Sequence, residues 1–185
     1  MTSNTPKALI MNEEAMQRAL ARMAHEIIEQ LQPMENVALA GIRRRGLPLA
    51  RRLSALIGRY EGIRPPVGEI DITRYRDDIR RAAAIPEDAA ALPFPVTGKT
   101  VVLVDDVICT GRTTRAAMEA VLSQGRAARI CLAVLVDRGH RELPIRPDFV
   151  GKNIPTSHTE RVAVHVTEQD GEDKVALYAA PDPLT

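Results

Sequence analysis

The sequence predicts an α/β protein with a central, mainly parallel sheet that is flanked by helices. Three apolar runs without polar alternation, at 37–42, 100–104 and 130–136, are typical of strands buried on both faces. Helical patterns separate these runs, as a parallel sheet requires. Each run leads directly into a charged segment that contains glycine. Because ligands of such sheets bind beyond the carboxyl ends of the strands, we expect one ligand site at that edge.

Apolar residues at spacings of three and four predict the helices. The first pattern covers 13–32 and ends at Pro33, and the second runs from Leu47 to Ile57. A third helix is predicted to open at Thr110 to Thr114 and to end near Gly125. These helices supply the layers that cover the predicted sheet.

The segment 61–98 is irregular, because prolines interrupt it. Between the prolines lies the stretch 68–78, whose first half alternates like a strand and whose second half is too charged to lie in a core. Long loops in compact domains are often functional. Residues 162–166 and 175–178 are weaker strand candidates.

Composition bounds the class of protein. The 185 residues, with 45% hydrophobic and 26% charged side chains, predict a single domain over 1–185. A net charge of +1 gives no global nucleic-acid signal, and five aromatic residues leave few rings for base stacking. No apolar run is long enough for a membrane span, and no export signal is visible. With Cys109 and Cys131 read as reduced thiols, we expect a cytoplasmic protein.

The most informative motif follows the second apolar run. Asp105 and Asp106 end it, and Thr110-Gly111-Arg112-Thr113-Thr114 then opens a helix. A glycine-containing turn at a helix N-terminus presents N–H groups to an anion, whereas carboxylates accept hydrogen bonds from sugar hydroxyls. The combination indicates a sugar phosphate. An acidic turn that caps a helix beside a solvated loop is the alternative.

This stretch, 101–114, resembles the phosphoribosyl-pyrophosphate (PRPP) signature of type I phosphoribosyltransferases. The segments 41–46, 68–78, 136–146 and 151–156 are similar to the PyrR family, whose members are uracil phosphoribosyltransferases that can also act as pyrimidine-operon attenuation proteins. The resemblance implies a type I phosphoribosyltransferase fold with a small hood and a flexible active-site loop at about 68–95. It implies conversion of uracil and PRPP to UMP and pyrophosphate with Mg²⁺, in a homodimer or a multiple of dimers.

The resemblance also implies a role for single residues. The expected catalytic residues are Asp105 and Asp106 on the ribose hydroxyls, Arg44 and Arg45 on the leaving group, and Arg74 and Arg76 on the closing loop. Mg²⁺ would arrive with PRPP and lie near the two aspartates, without a direct protein ligand. The expected PRPP- and UMP-binding residues are Gly41, Ile42, Arg43, Arg44, Arg45, Gly46, Val104, Asp105, Asp106, Val107, Ile108, Cys109, Thr110, Gly111, Arg112, Thr113 and Thr114. The expected base-binding residues are Val136, Asp137 and Arg138.

A second activity is expected from the family's RNA-binding surface, which would bind pyrimidine-operon leader mRNA in response to UMP. The candidate residues are Arg18, Arg22, His25, His140, Arg141, Arg146 and Lys152. The alternative for the helix residues is a solvated face with helix-spaced ion pairs. An RNA-binding regulator with only vestigial enzyme activity is the alternative for the whole chain. Cys109 stands where purine enzymes of the superfamily carry Asp, which disfavours purine substrates.

Overall fold

Five parallel strands form the main sheet of the computed structural model, which describes residues 5–73, Tyr75 and residues 91–179. The strands are β2 (Val37–Ile42), β3 (Val67–Ile70), β4 (Thr100–Ile108), β5 (Arg129–Asp137) and β6 (Phe149–Asn153). Hydrogen bonding sets their order as β3-β2-β4-β5-β6. The predicted α/β class with a parallel central sheet is therefore confirmed.

Helices cover both faces of this sheet. The bounds are α1 (Glu13–Gln30), α2 (Gly46–Glu61) and α3 (Arg112–Leu122). A fourth, short helix, α4 (Thr167–Asp170), does not belong to these layers, because it joins two strands of the second, smaller sheet. Alternate strand residues face opposite sides: Leu39 packs with α1 and α2, whereas Ala38 and Ala40 pack with α3. All six residues of β2 are buried, which explains why its sequence shows no polar alternation.

A second, antiparallel sheet forms the small hood. Its strands are β1 (Ala8–Met11), β8 (Lys174–Tyr178) and β7 (Arg161–His165), in the order β1-β8-β7. The sequence patterns predicted β7 and β8 but missed β1 and β6. Both missed strands are short, and β6 ends in the exposed residues Lys152 and Asn153, so neither gives a clear hydrophobic pattern.

Two boundaries differ from those expected. Strand β4 continues to Ile108 and includes both aspartates, because Val107 and Ile108 still pair with Val136 and Asp137 of β5. The expected loop at about 68–95 is anchored at both ends. Its first residues belong to β3, and Leu92 and Phe94 near its other end are buried.

Within the described residues, no helix has the length and apolar character that a membrane span requires. Both cysteines are free thiols; Cys131 is buried in β5, and Cys109 is half-buried after β4.

Candidate active site

The carboxyl ends of β2, β4 and β5 lie side by side at one edge of the main sheet. Gly41 pairs with Val104, and Ile108 pairs with Asp137. The Arg138 N–H donates to the Ile108 carbonyl oxygen at 3.2 Å, which extends this edge by one residue. The three motifs that the sequence singled out are thus adjacent.

Two neighbouring carboxylates lie near the carboxyl end of β4. Asp105 is buried, and its Oδ1 accepts the Asp106 N–H at 2.9 Å. Asp106 Oδ1 accepts the Val107 N–H at 2.8 Å. Burial, together with the negative charge of Asp106, raises the pKa of Asp105 well above its usual range. The pair therefore favours a ligand that brings hydroxyl donors or positive charge.

Asp106 faces a cavity of about 310 Å³ between the sheet edge and the hood. Arg45 lines the cavity on the side of the main sheet, and the hood supplies the opposite wall. The hood residues in this wall are Arg161, Val162, Ala163, Val164, His165 and Tyr178. Arg44 and Arg138, which we expected around the same cavity, are not among its lining residues.

The turn after β4 brings the predicted phosphate cradle to the start of α3. Gly111 precedes the helix with φ at +90°, a conformation that favours glycine. The Thr110 carbonyl oxygen accepts N–H groups of Glu142 and Leu143 at 3.0 and 3.1 Å, so this turn rests on the segment after β5. The arrangement places a helix N-terminus, which attracts anions, next to the aspartate pair.

The loop between β2 and α2 contains three consecutive arginines with different partners. Arg43 Nη1 donates to Asp71 Oδ2 at 2.7 Å, and Arg45 forms a two-pronged pair with Asp170. In the described part of the chain, the exposed Arg44 guanidinium makes no hydrogen bond or ion pair. Arg44 is therefore the guanidinium of this loop that is available to an anionic ligand.

Two glycines allow this loop to pack against the neighbouring backbone. A Cβ at Gly41 would lie 2.4 Å from the Leu47 Cα, and a Cβ at Gly46 would lie 2.3 Å from the Val104 carbonyl oxygen. Both distances are below any normal contact, so only glycine fits. The loop is thereby held directly against the strand that carries the aspartates.

The predicted base-binding segment ends β5. Val136 is buried, and Asp137 accepts hydrogen bonds from Arg141 Nη2 at 2.6 Å and from the Gly139 N–H at 2.9 Å. Burial alone would raise the pKa of Asp137, but these hydrogen bonds outweigh it and the pKa is lowered. Arg138 Nε donates to Thr156 Oγ1 at 3.2 Å. Asp137 is thus an ionised anchor for its own loop.

The candidate RNA-binding residues divide into two groups. Arg18, Arg146 and Lys152 are exposed and available to a partner, although Arg18 also forms a helix-spaced surface ion pair with Glu14 at 3.7 Å. The others make intramolecular contacts: Arg22 with the Val150 and Gly151 carbonyls, His25 with the Tyr60 ring, His140 with Thr156 and His158, and Arg141 with Asp137 and Ile145. Arg74 and Arg76, expected to be catalytic, lie outside the described residues.

Sequence reasoning missed the contribution of the hood. Gln169 Nε2 donates to the Arg44 carbonyl oxygen at 2.9 Å, and Asp170 holds Arg45. Arg161 and Tyr178 stack against each other in the cavity wall, with 4.9 Å from the guanidinium carbon to the ring centroid. The only sequence signal was the acidic run at 167–173, which no motif linked to the site.

Comparisons with known proteins agree with this geometry. Residues 9–169 match the family model described as phosphoribosyl transferase domain. "Bifunctional protein PyrR" of Thermus thermophilus is 56% identical over 93% of this chain and 96% of its own length. The protein of the same name from Clostridium novyi is 53% identical over 93% and 97%.

Solved structures show the same fold at low identity. A hypoxanthine phosphoribosyltransferase from Staphylococcus aureus has a TM-score of 0.72 and 18% identity, with 98% of both chains covered. The enzyme from Trypanosoma cruzi in complex with IMP has a TM-score of 0.69 over 96% of this chain and 94% of that one. The family match and the identity over nearly the whole chain show that this protein belongs to the PyrR family of phosphoribosyltransferases.

Proposed function

We propose that this chain transfers the phosphoribosyl group of PRPP to uracil, giving UMP and pyrophosphate. The proposal rests on the arrangement of the aspartate pair, the Gly111 turn and the β2–α2 loop at one sheet edge. Asp106 of the aspartate pair near the end of β4 faces a cavity, and the Gly111 turn and the β2–α2 loop flank that pair. PRPP has the matching parts, namely ribose hydroxyls between a phosphate and a diphosphate. Curated relatives with the name "Bifunctional protein PyrR" support an enzyme that also has a regulatory role.

We assign each part of PRPP to one segment. Asp105 and Asp106 accept hydrogen bonds from the ribose hydroxyls, and Thr110 to Thr114 bind the phosphate at the α3 N-terminus. Arg44 and the backbone of the β2–α2 loop bind the diphosphate. Val136 to Arg138 contact uracil. Because uracil is a weak neutral nucleophile, its position relative to the ribose carbon contributes more than a strong base would.

Departure of pyrophosphate leaves positive charge on the ribose and builds negative charge on the leaving oxygens. The free Arg44 guanidinium can stabilise the departing charge, and the carboxyl oxygens of the aspartate pair can stabilise the ribose side. The hood covers the cavity opposite Asp106 and limits the access of water. The expected contribution of Arg74 and Arg76 remains a prediction.

The site is compatible with Mg²⁺ that arrives bound to PRPP. Asp105 is buried and Asp106 is half-buried, and burial raises the pKa of both carboxyl groups, so added positive charge would stabilise the pair. Among the described residues, no group of three or more His, Cys, Asp or Glu could hold a metal by itself. When bound, Mg²⁺ would neutralise charge on the diphosphate as it leaves.

Replacement of the aspartates tests the enzyme proposal. We expect Asp105→Asn and Asp106→Asn each to lower uracil-dependent UMP synthesis by about 100-fold or more, while circular dichroism and the melting temperature show a folded protein. Glu119→Gln is the matched control, because it removes an exposed carboxylate of α3 that pairs with Arg115 and has no part in the proposed PRPP contacts. Wild-type rates in both aspartate variants would contradict the assigned roles.

A regulatory role in pyrimidine-gene expression is the second function, and the exposed basic residues Arg18, Arg146 and Lys152 favour it. We expect pyrimidine leader RNA to bind more tightly in the presence of UMP, with strong salt dependence. Lys152→Ala should weaken binding and lower the slope of log K against log salt by about one, whereas Arg126→Ala should not. RNA affinity that is unmeasurable at low salt would rule out this role. Light scattering of the same samples tests the expected dimers.

A further inference from the structure

We propose that Asp170 of the hood is a positioning residue that holds Arg45 away from Asp106 and so keeps Asp106 available to the ligand. This inference rests on the proposed function and adds a residue that no motif of the site contains. It assigns Arg45 a different role from Arg44. The Arg45 side chain is bound by the hood, whereas the Arg44 side chain is free to contact the diphosphate.

The contacts of Arg45 are specific. Its Nη2 donates to Asp170 Oδ1 at 2.8 Å, and its Nε donates to Asp170 Oδ2 at 3.1 Å, the parallel geometry in which arginine binds carboxylate most strongly. Asp170 is itself fixed, because its Oδ2 accepts the Val166 N–H at 2.9 Å and its own N–H donates to the Val166 carbonyl oxygen. Both partners of the ion pair therefore have a defined orientation.

A second contact reinforces the first. Gln169 Nε2 donates to the Arg44 carbonyl oxygen at 2.9 Å. Two consecutive residues of α4 thus hold two consecutive residues of the β2–α2 loop. The hood fixes the backbone of this loop at Arg44 and the side chain at Arg45, and it leaves the Arg44 guanidinium exposed.

The position of Arg45 explains why it must be held. Arg45 and Asp106 line the same cavity. Burial raises the pKa of Asp106 and the charge of Arg45 already acts to lower it, although no hydrogen bond or ion pair joins these two described side chains. The attraction between opposite charges is strong where little water separates them. Without Asp170, we expect the Arg45 guanidinium to turn toward Asp106 and to form an ion pair inside the cavity. A ligand that needs the Asp106 carboxylate would then have to break that pair.

The chain provides a matched control in a second ion-pair cluster between the same elements. Arg52 of α2 pairs with Glu168 at 2.6 Å and with Asp173 at 2.6 Å, on either side of Asp170 in the sequence. This cluster also joins the hood to α2, but it includes no residue of the β2–α2 loop. Glu168→Gln therefore weakens the attachment of the hood without releasing Arg45.

The test compares affinity for PRPP, measured by calorimetry, with steady-state kinetics. We expect Asp170→Asn to raise the Kd and the KM for PRPP by about ten-fold or more, with a smaller change in kcat, because the ligand must break a new ion pair on binding. Glu168→Gln should change the KM by less than about three-fold. Equal effects of the two variants, or no effect of Asp170→Asn, would overturn the inference.

A double variant separates release of Arg45 from simple loss of structure. Arg45→Met removes the cation, so we expect Asp170→Asn/Arg45→Met to bind PRPP more tightly than Asp170→Asn alone. If Asp170→Asn fails to fold, the double variant is compared with Arg45→Met, and any further loss of PRPP affinity contradicts the proposal. Wild-type protein that binds PRPP without producing UMP would refute the proposed reaction and leave this comparison valid. Absence of PRPP binding would refute both.

Discussion

Replacement of Gly46 by alanine tests how closely the β2–α2 loop must pack against the strand that carries the aspartates. Gly46 is buried at the start of α2, and an added Cβ would lie 2.3 Å from the Val104 carbonyl oxygen. Since Cβ atoms keep at least 3.0 Å from such an atom, the helix start and β4 must separate by about 0.7 Å or more. The obstacle is backbone, which cannot rotate away as a side chain can.

This displacement has two measurable consequences. Overpacking of this kind costs about 1–3 kcal/mol, which urea unfolding measures as a lower midpoint at an unchanged slope. Asp105 directly follows Val104, so the same movement shifts the carboxylates relative to the loop. A misplacement of this size can lower the rate by about 100-fold, and we expect a loss of that order in kcat/KM for UMP synthesis.

Gly58→Ala is the control in the same helix. Its Cβ would lie 3.2 Å from the Cβ of Arg64, and alanine is favoured over glycine in a helix by up to about 1 kcal/mol. We expect this variant to keep the wild-type rate. Its free energy of unfolding should fall by no more than about 0.5 kcal/mol. A Gly46→Ala variant with wild-type stability and turnover would refute the packing argument.

Three further predictions concern stability. The raised pKa of buried Asp105 means that the folded state loses stability as pH rises above about 3.8, so Asp105→Asn should gain stability relative to wild type between pH 5 and pH 8 in urea titrations. For Asp173 burial raises the pKa, but the hydrogen bonds from Arg52 and Thr167 together with the charge of Arg52 outweigh burial, so the pKa is lowered. Asp173→Asn should therefore cost about 1–3 kcal/mol at pH 7, and the cost should disappear as pH falls through the lowered pKa, below about 3.8. Phe149→Ala, at a fully buried position of β6, should cost about 3–5 kcal/mol in the same assay, and a loss below 1 kcal/mol would contradict its place in the core.

The main sheet could be predicted because its strands are buried on both faces. That burial requires continuous apolar runs, such as Val37 to Ile42, which are visible without any knowledge of the partners. The hood was harder to predict. Strand β1 has four residues and is half-exposed, so its pairing with β8, far away in the chain, leaves almost no local pattern.

The same distinction holds within the site. The spacing of Asp105 and Asp106 before the Gly111 turn is local, and it indicated a sugar-phosphate site from the sequence. The partner of Arg45 lies 125 residues further along the chain. No local pattern could show that Arg45 is held by the hood while Arg44 beside it is free.

The α/β class, the three strand-end motifs and the chemistry that their residue types allow are all visible in the amino-acid sequence. Periodicity and residue spacing record these properties, because they arise between neighbours in the chain. Three properties of the site are visible only in the folded chain: which motif residues reach one cavity, which arginines are already paired, and that the hood forms the opposite wall. Those properties depend on contacts between distant segments, which exist only after the chain has folded.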